Sequence, residues 1–107
     1  MNRRIRTWGL TLLAASLAVP LLAQSKGEQI FKERCAMCHG QDGTASTPMG
    51  KMMHIPSFKA AALVKAPESQ LIAATENGKG RMPAYKGKLS AQQIKDVVAY
   101  IRTLQKK

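Results

Sequence analysis

Cys35-Ala36-Met37-Cys38-His39 puts two thiols three residues apart, with an imidazole directly after the second. This C-x-x-C-H spacing suits covalent c-type haem attachment. Each thiol can add across one vinyl group of the macrocycle, and the histidine beside the second thioether is then delivered to one axial face of the iron. The chain has no other cysteines. A redox dithiol would stand after a strand at the start of a helix, whereas here the motif closes a helical pattern with no strand before it. A structural zinc ion needs four ligands. Cys35, Cys38, His39 and His54 are the nominal set, but adjacent Cys38 and His39 are awkward chelators of one ion. A disulfide between the two cysteines would close too short a loop to constrain the unfolded chain much.

A second axial ligand must reach the opposite face of the ring. Soft thioether sulfur keeps iron low-spin in both oxidation states and raises its potential relative to a second histidine. Met82 is the leading candidate, in Gly78-Lys79-Gly80-Arg81-Met82-Pro83-Ala84-Tyr85, where glycines free the backbone and Pro83 stiffens it past the ligand. Met52, Met53 and His54 are the alternatives. Met37, Met49, Met52 and Met53 read otherwise as gap-fillers or residues facing solvent. A ligating histidine normally donates its second ring N–H to a fixed acceptor. The carbonyl of Pro48, nine residues after His39, is the chosen acceptor, against a purely structural turn proline. Lys79, Arg81, Lys86 and Lys88 surround the Met82 loop, either as a solvated surface or as a docking rim.

These residues need elements to position them. Lys26 to about Cys38 reads as a first helix, with Gly27, Ile30 and Phe31 toward one side. Gly40 to Ala66 is rich in Gly, Ser, Thr, Pro and Met and reads as a long loop, with one helical turn around Phe58 to Val64. A loop of that length in a small domain needs something to wrap. Pro67 and Glu68 open a short helix through Leu71, Ile72 and Thr75 to Asn77, which Gly78 stops. After a loop to Leu89, Ser90 and Gln93 form a capping box. Ile94, Val97, Val98, Ile101 and Leu104 then make an apolar stripe flanked by Tyr100. No segment alternates with period two, so the fold class is all-α.

Arg3, Arg4 and Arg6 precede a stretch, Thr7 to Ser25, that carries no charge. Residues 1–23 read as an export leader cut near Ala23/Gln24. The alternative is an uncleaved anchor, since the stretch approaches the about 20 residues that span a bilayer, though Thr11, Ser16 and Pro20 dilute it. Residues 24–107 form one domain, 84 of the 107 residues. So small a chain benefits from a staple, which a covalent haem supplies. Three of the 17 Lys and Arg lie in the leader, leaving 14 against 6 Asp and Glu. Export and the absence of a long basic run argue against nucleic acid. The charge instead fits redox protein partners with acidic docking surfaces, or peripheral contact with an anionic membrane. The chain is expected to be a monomer.

The exported domain resembles the small bacterial monohaem class I cytochromes c over about residues 26 to 105. The resemblance rests on Gly27 to Gly40 with Cys35, Cys38 and His39, on Asn77-Gly78-Lys79 leading to Met82-Pro83-Ala84-Tyr85, and on Val98-Ala99-Tyr100-Ile101. It implies a class I cytochrome c fold of about three main helices and long loops around one haem c. It also implies His39/Met82 ligation of the iron and periplasmic one-electron transfer rather than catalysis. In that family the first and last helices cross, with a glycine and an aromatic meeting an aromatic; Gly27, Phe31 and Tyr100 match those positions. The family's Gly-Pro after the haem motif is here Thr47-Pro48. Other readings are a haem subunit of a dehydrogenase or oxidase, and a peroxidase or gas sensor should Met82 not ligate.

Overall fold

The computed structural model describes residue 9 and residues 18–107. Most of the expected leader thus lies outside the described residues. Six helices follow in order: α1 (Ala18–Arg34), α2 (Ala36–His39), α3 (Pro48–Met52), α4 (Ala61–Lys65), α5 (Glu68–Asn77) and α6 (Ala91–Gln105). Among the described residues there is no strand, only isolated bridges joining Lys79 to Met82 and Lys86 to Leu89. The all-α class I cytochrome c fold expected from the sequence is the fold observed.

The frame is the crossing of α1 and α6. Ser90 caps α6 with both capping-box bonds, Gln93 N to Ser90 Oγ at 3.1 Å and Ser90 N to Gln93 Oε1 at 2.8 Å. Every residue of the expected stripe is buried, with Val98 fully so. On α1 the opposing surface is Gly27 and Phe31. A Cβ on Gly27 would overlap the Asp96 carbonyl and lie 3.1 Å from Tyr100 Cβ, so the missing side chain is what lets the helices touch. Phe31 is fully buried and meets Tyr100 at 5.4 Å between ring centroids and Phe58 at 6.1 Å. Burying a phenylalanine contributes about 1.5–3 kcal/mol. Here that burial fastens the segment leading to Cys35 onto the last helix.

Two elements differ from expectation. The first helix begins before Lys26 and breaks at Cys35, with α2 continuing to His39. The long loop holds α3 as well as α4. Thr47 is extended (φ −86°, ψ 160°) and accepts a bond from Gly50 N, and Pro48 sits at the first helical position, where no N–H is missed. Polar side chains of α6 tie down the rest of that segment. Arg102 donates to the carbonyls of Leu63, Val64 and Ala66 at the end of α4, and Gln105 donates to Phe58 O at 3.0 Å. These bonds tie the end of α4 and the turn at Phe58 to the last helix.

Candidate functional site

Cys35 lies at the turn between α1 and α2, and Cys38 and His39 close α2. The two cysteines are not joined by a disulfide, and both are half-buried. Burial pushes the Cys35 thiol up to about 11, with Arg34 opposing the rise and Cys38 adding to it. Burial lowers the pKa of His39, which keeps the imidazole neutral with a lone pair for a metal. Its ring stacks on Phe58 at 4.5 Å and 15° between planes.

His39 Nδ1 is buried without a hydrogen-bond partner. The expected bond to the Pro48 carbonyl is therefore not formed in this structure, where Pro48 is instead the exposed first residue of α3. A neutral imidazole with one unpaired buried nitrogen, beside two cysteines at C-x-x-C-H spacing, fits covalent haem. The donor set is the one such attachment requires.

Met82 is half-buried in a tight reversal, with Met82 N to Lys79 O at 2.9 Å and Lys79 N to Met82 O at 3.2 Å. Gly78 (φ 74°) stops α5 as expected, and a Cβ there would come within 2.6 Å of Met82 O. Beyond Pro83, Tyr85 N bonds Thr75 O at 3.0 Å and Lys86 N bonds Glu76 O at 3.1 Å, which returns the loop to α5. The Tyr85 hydroxyl donates to Arg34 O at 3.2 Å. Burial raises the Tyr85 pKa, the neighbouring Cys35 and Cys38 add to the rise, and Arg34 opposes it. The Met82 loop and the haem-motif turn are thus tied together. Of the alternative ligands, Met52 and His54 are exposed, and His54 adopts a positive φ of 54°. Met37 also faces solvent, whereas Met49 and Met53 are half-buried.

Two residues that matter here carry no role in the sequence reading. Tyr85 is one; nothing local signals that its partner lies 51 residues away. Thr47 is the other. Its hydroxyl donates to Cys38 O at 3.0 Å while accepting from Gly50 N at 2.9 Å. A threonine directly before a proline is the available signal, since that order marks a helix N-cap followed by its first residue.

An all-α domain with a C-x-x-C-H motif at a helix break fits a covalent haem-binding protein. Residues 23–101 match the family described as cytochrome C oxidase, cbb3-type, subunit III. A cytochrome c6 of Nostoc sp. is 34% identical over 95 residues, covering 87% of this chain and 83% of that protein. The cytochrome c6 of Leptolyngbya boryana is 36% identical over 78 residues, 70% of this chain and 85% of the other. The cbb3-type cytochrome c oxidase subunit FixP of Bradyrhizobium diazoefficiens is 35% identical over 81 residues, 75% of this chain but 27% of that protein. The chain belongs to the small monohaem class I cytochromes c. It is an electron carrier with covalently bound haem c and its iron, working with redox partners, and is not an enzyme. Among the described residues no helix is long and apolar enough to cross a membrane.

Proposed function

We propose that the chain is a periplasmic one-electron carrier in which His39 and Met82 would ligate the iron of the bound haem. Residues 1–23 direct export and are removed. The single observation that carries the ligand assignment is the Tyr85–Arg34 bond, which ties the methionine loop to the end of the helix leading into Cys35. The basic leader followed by an uncharged stretch supports export.

The bound haem c supplies reversible one-electron chemistry between Fe(III) and Fe(II). The chain's own residues set its terms. His39 provides a neutral imidazole, whose buried Nδ1 has no protein hydrogen-bond partner in this structure. Met82 provides a soft sulfur from a loop that Gly78 and Tyr85 hold on both sides. The α1–α6 core gives these ligands a rigid mounting, so little rearrangement accompanies electron transfer. Lys79, Arg81, Lys86 and Lys88 are exposed around the same loop and form the docking rim for acidic partners.

Met82→Ala should abolish the weak Met–Fe(III) charge-transfer absorption and lower the midpoint potential. Persistence of that absorption would assign the sulfur to another methionine. A second reading, a haem subunit bound to an oxidase, draws on the match of residues 23–101 to the cbb3-type subunit III family. Size-exclusion of a native periplasmic extract separates the two: a free carrier elutes at the mass of one small domain, a subunit with its complex.

A further inference from the structure

Helix α2 is a single turn, so its last carbonyls lack helical partners and must find them elsewhere. The two that flank the His39 backbone find them in one short segment. Cys38 O accepts from the Thr47 hydroxyl at 3.0 Å, and His39 O accepts from Ala45 N at 2.7 Å. The segment is shaped to stay there. Ala45 is buried in a left-handed conformation (φ 58°) that costs a residue with a side chain, and a Cβ on Gly50 would overlap the Ala45 and Cys38 carbonyls. Thr47 closes the arrangement. One hydroxyl donates to the end of α2 and accepts from Gly50 N at the start of α3, so it staples the two helix ends together.

Thr47 offers a hydroxyl where a glycine would offer none. Its extended backbone (φ −86°) needs no glycine, so the position is free to carry a side chain that works. We propose that Thr47 is a positioning residue for His39, its hydroxyl fixing the Cys38–His39 peptide against the start of α3. Through that peptide it orients the imidazole. The inference rests on the reading of His39 as axial ligand.

The test compares holoprotein carrying Thr47, Thr47→Val and Thr47→Ser. Valine keeps the branched shape and removes both bonds, while serine keeps the hydroxyl. In Thr47→Val the Gly50 amide should exchange with solvent roughly tenfold faster, the fold-change of one lost hydrogen bond. The iron-shifted proton resonances of the His39 ring should move, and the midpoint potential should rise as a looser imidazole donates less electron density. Thr47→Ser should restore all three. Wild-type iron-shifted His39 resonances that are unmoved in Thr47→Val, with an unmoved potential, overturn the inference alone. A wild type lacking iron-shifted His39 resonances overturns the axial reading and the inference with it. Should Thr47→Val not mature, wild-type Gly50 exchange decides: protection well beyond that of exposed Gly80 supports the staple, and equal exchange overturns it.

Discussion

At the scale of single residues, the chemistry of attachment restricts both type and spacing, so Cys35, Cys38 and His39 are legible in the sequence as a haem-attachment motif, and Met82 is the proposed second ligand. The residues that hold them are not legible there. A hydroxyl's partner is set by tertiary placement, and Tyr85 and Arg34 are 51 positions apart. Tyr85→Phe tests how much that bond holds the methionine loop. It removes one hydrogen bond, about 0.5–1.5 kcal/mol. Alkaline loss of the Met–Fe(III) absorption should then begin up to about one pH unit lower, read by a spectrophotometric titration. The Tyr85 pKa is raised by burial, so its protonated form is favoured by folding. That contribution is complete below the ordinary tyrosine range and is lost as pH rises through the raised value. Wild type and variant should therefore converge at the alkaline end. Coincident titrations throughout would remove Tyr85 from the account of ligand retention.

At the scale of elements, α6 was readable because its cap, its stripe and its length agree, and α5 because Gly78 ends it. Helix α3 was hidden inside a stretch whose Gly, Pro and Thr content resembles loop, and it is held by Thr47 and by carbonyl partners outside itself. The break at Cys35 leaves no mark in the apolar pattern. The α1–α6 crossing makes the sharpest prediction at this scale. Alanine at Gly27 gains about 0.5–1 kcal/mol of helix propensity. It also drives a methyl into the Asp96 carbonyl and against Tyr100, so the helices must part. Overpacking of this kind costs about 1–3 kcal/mol. Gly27→Ala should lower the denaturant midpoint of the holoprotein at unchanged slope. Ser90→Ala, which removes the capping box without touching the crossing, should cost about 1 kcal/mol. A Gly27→Ala protein as stable as wild type would show that the crossing has slack.

At the scale of the whole molecule, charge sets the terms of encounter. Beyond the leader, 14 basic residues face 6 acidic ones, and the one ion pair found among the described residues joins Lys32 to Glu28 on the exposed side of α1. The basic side chains around Met82 are exposed instead, with Lys88 Nζ 6.0 Å from the centre of the Tyr85 ring. A one-electron carrier gains from this arrangement, since exposed charge speeds encounter yet holds a partner only weakly, which lets it leave after transfer. Fields of this kind raise association rates by about 10- to 1,000-fold and fade once the Debye length falls to about 10 Å near 0.1 M salt. Replacing Lys79, Arg81, Lys86 and Lys88 with glutamine should therefore slow oxidation by an acidic redox partner at least about tenfold at low salt. The rates of the two proteins should draw together near 1 M salt, where charge reaches only about 3 Å. Equal rates and equal salt slopes in stopped-flow measurements would return the four side chains to the role of a solvated surface. The same substitutions should leave the Met–Fe(III) absorption unchanged, because none of the five hydrogen bonds that shape the Met82 loop uses a side chain of these residues.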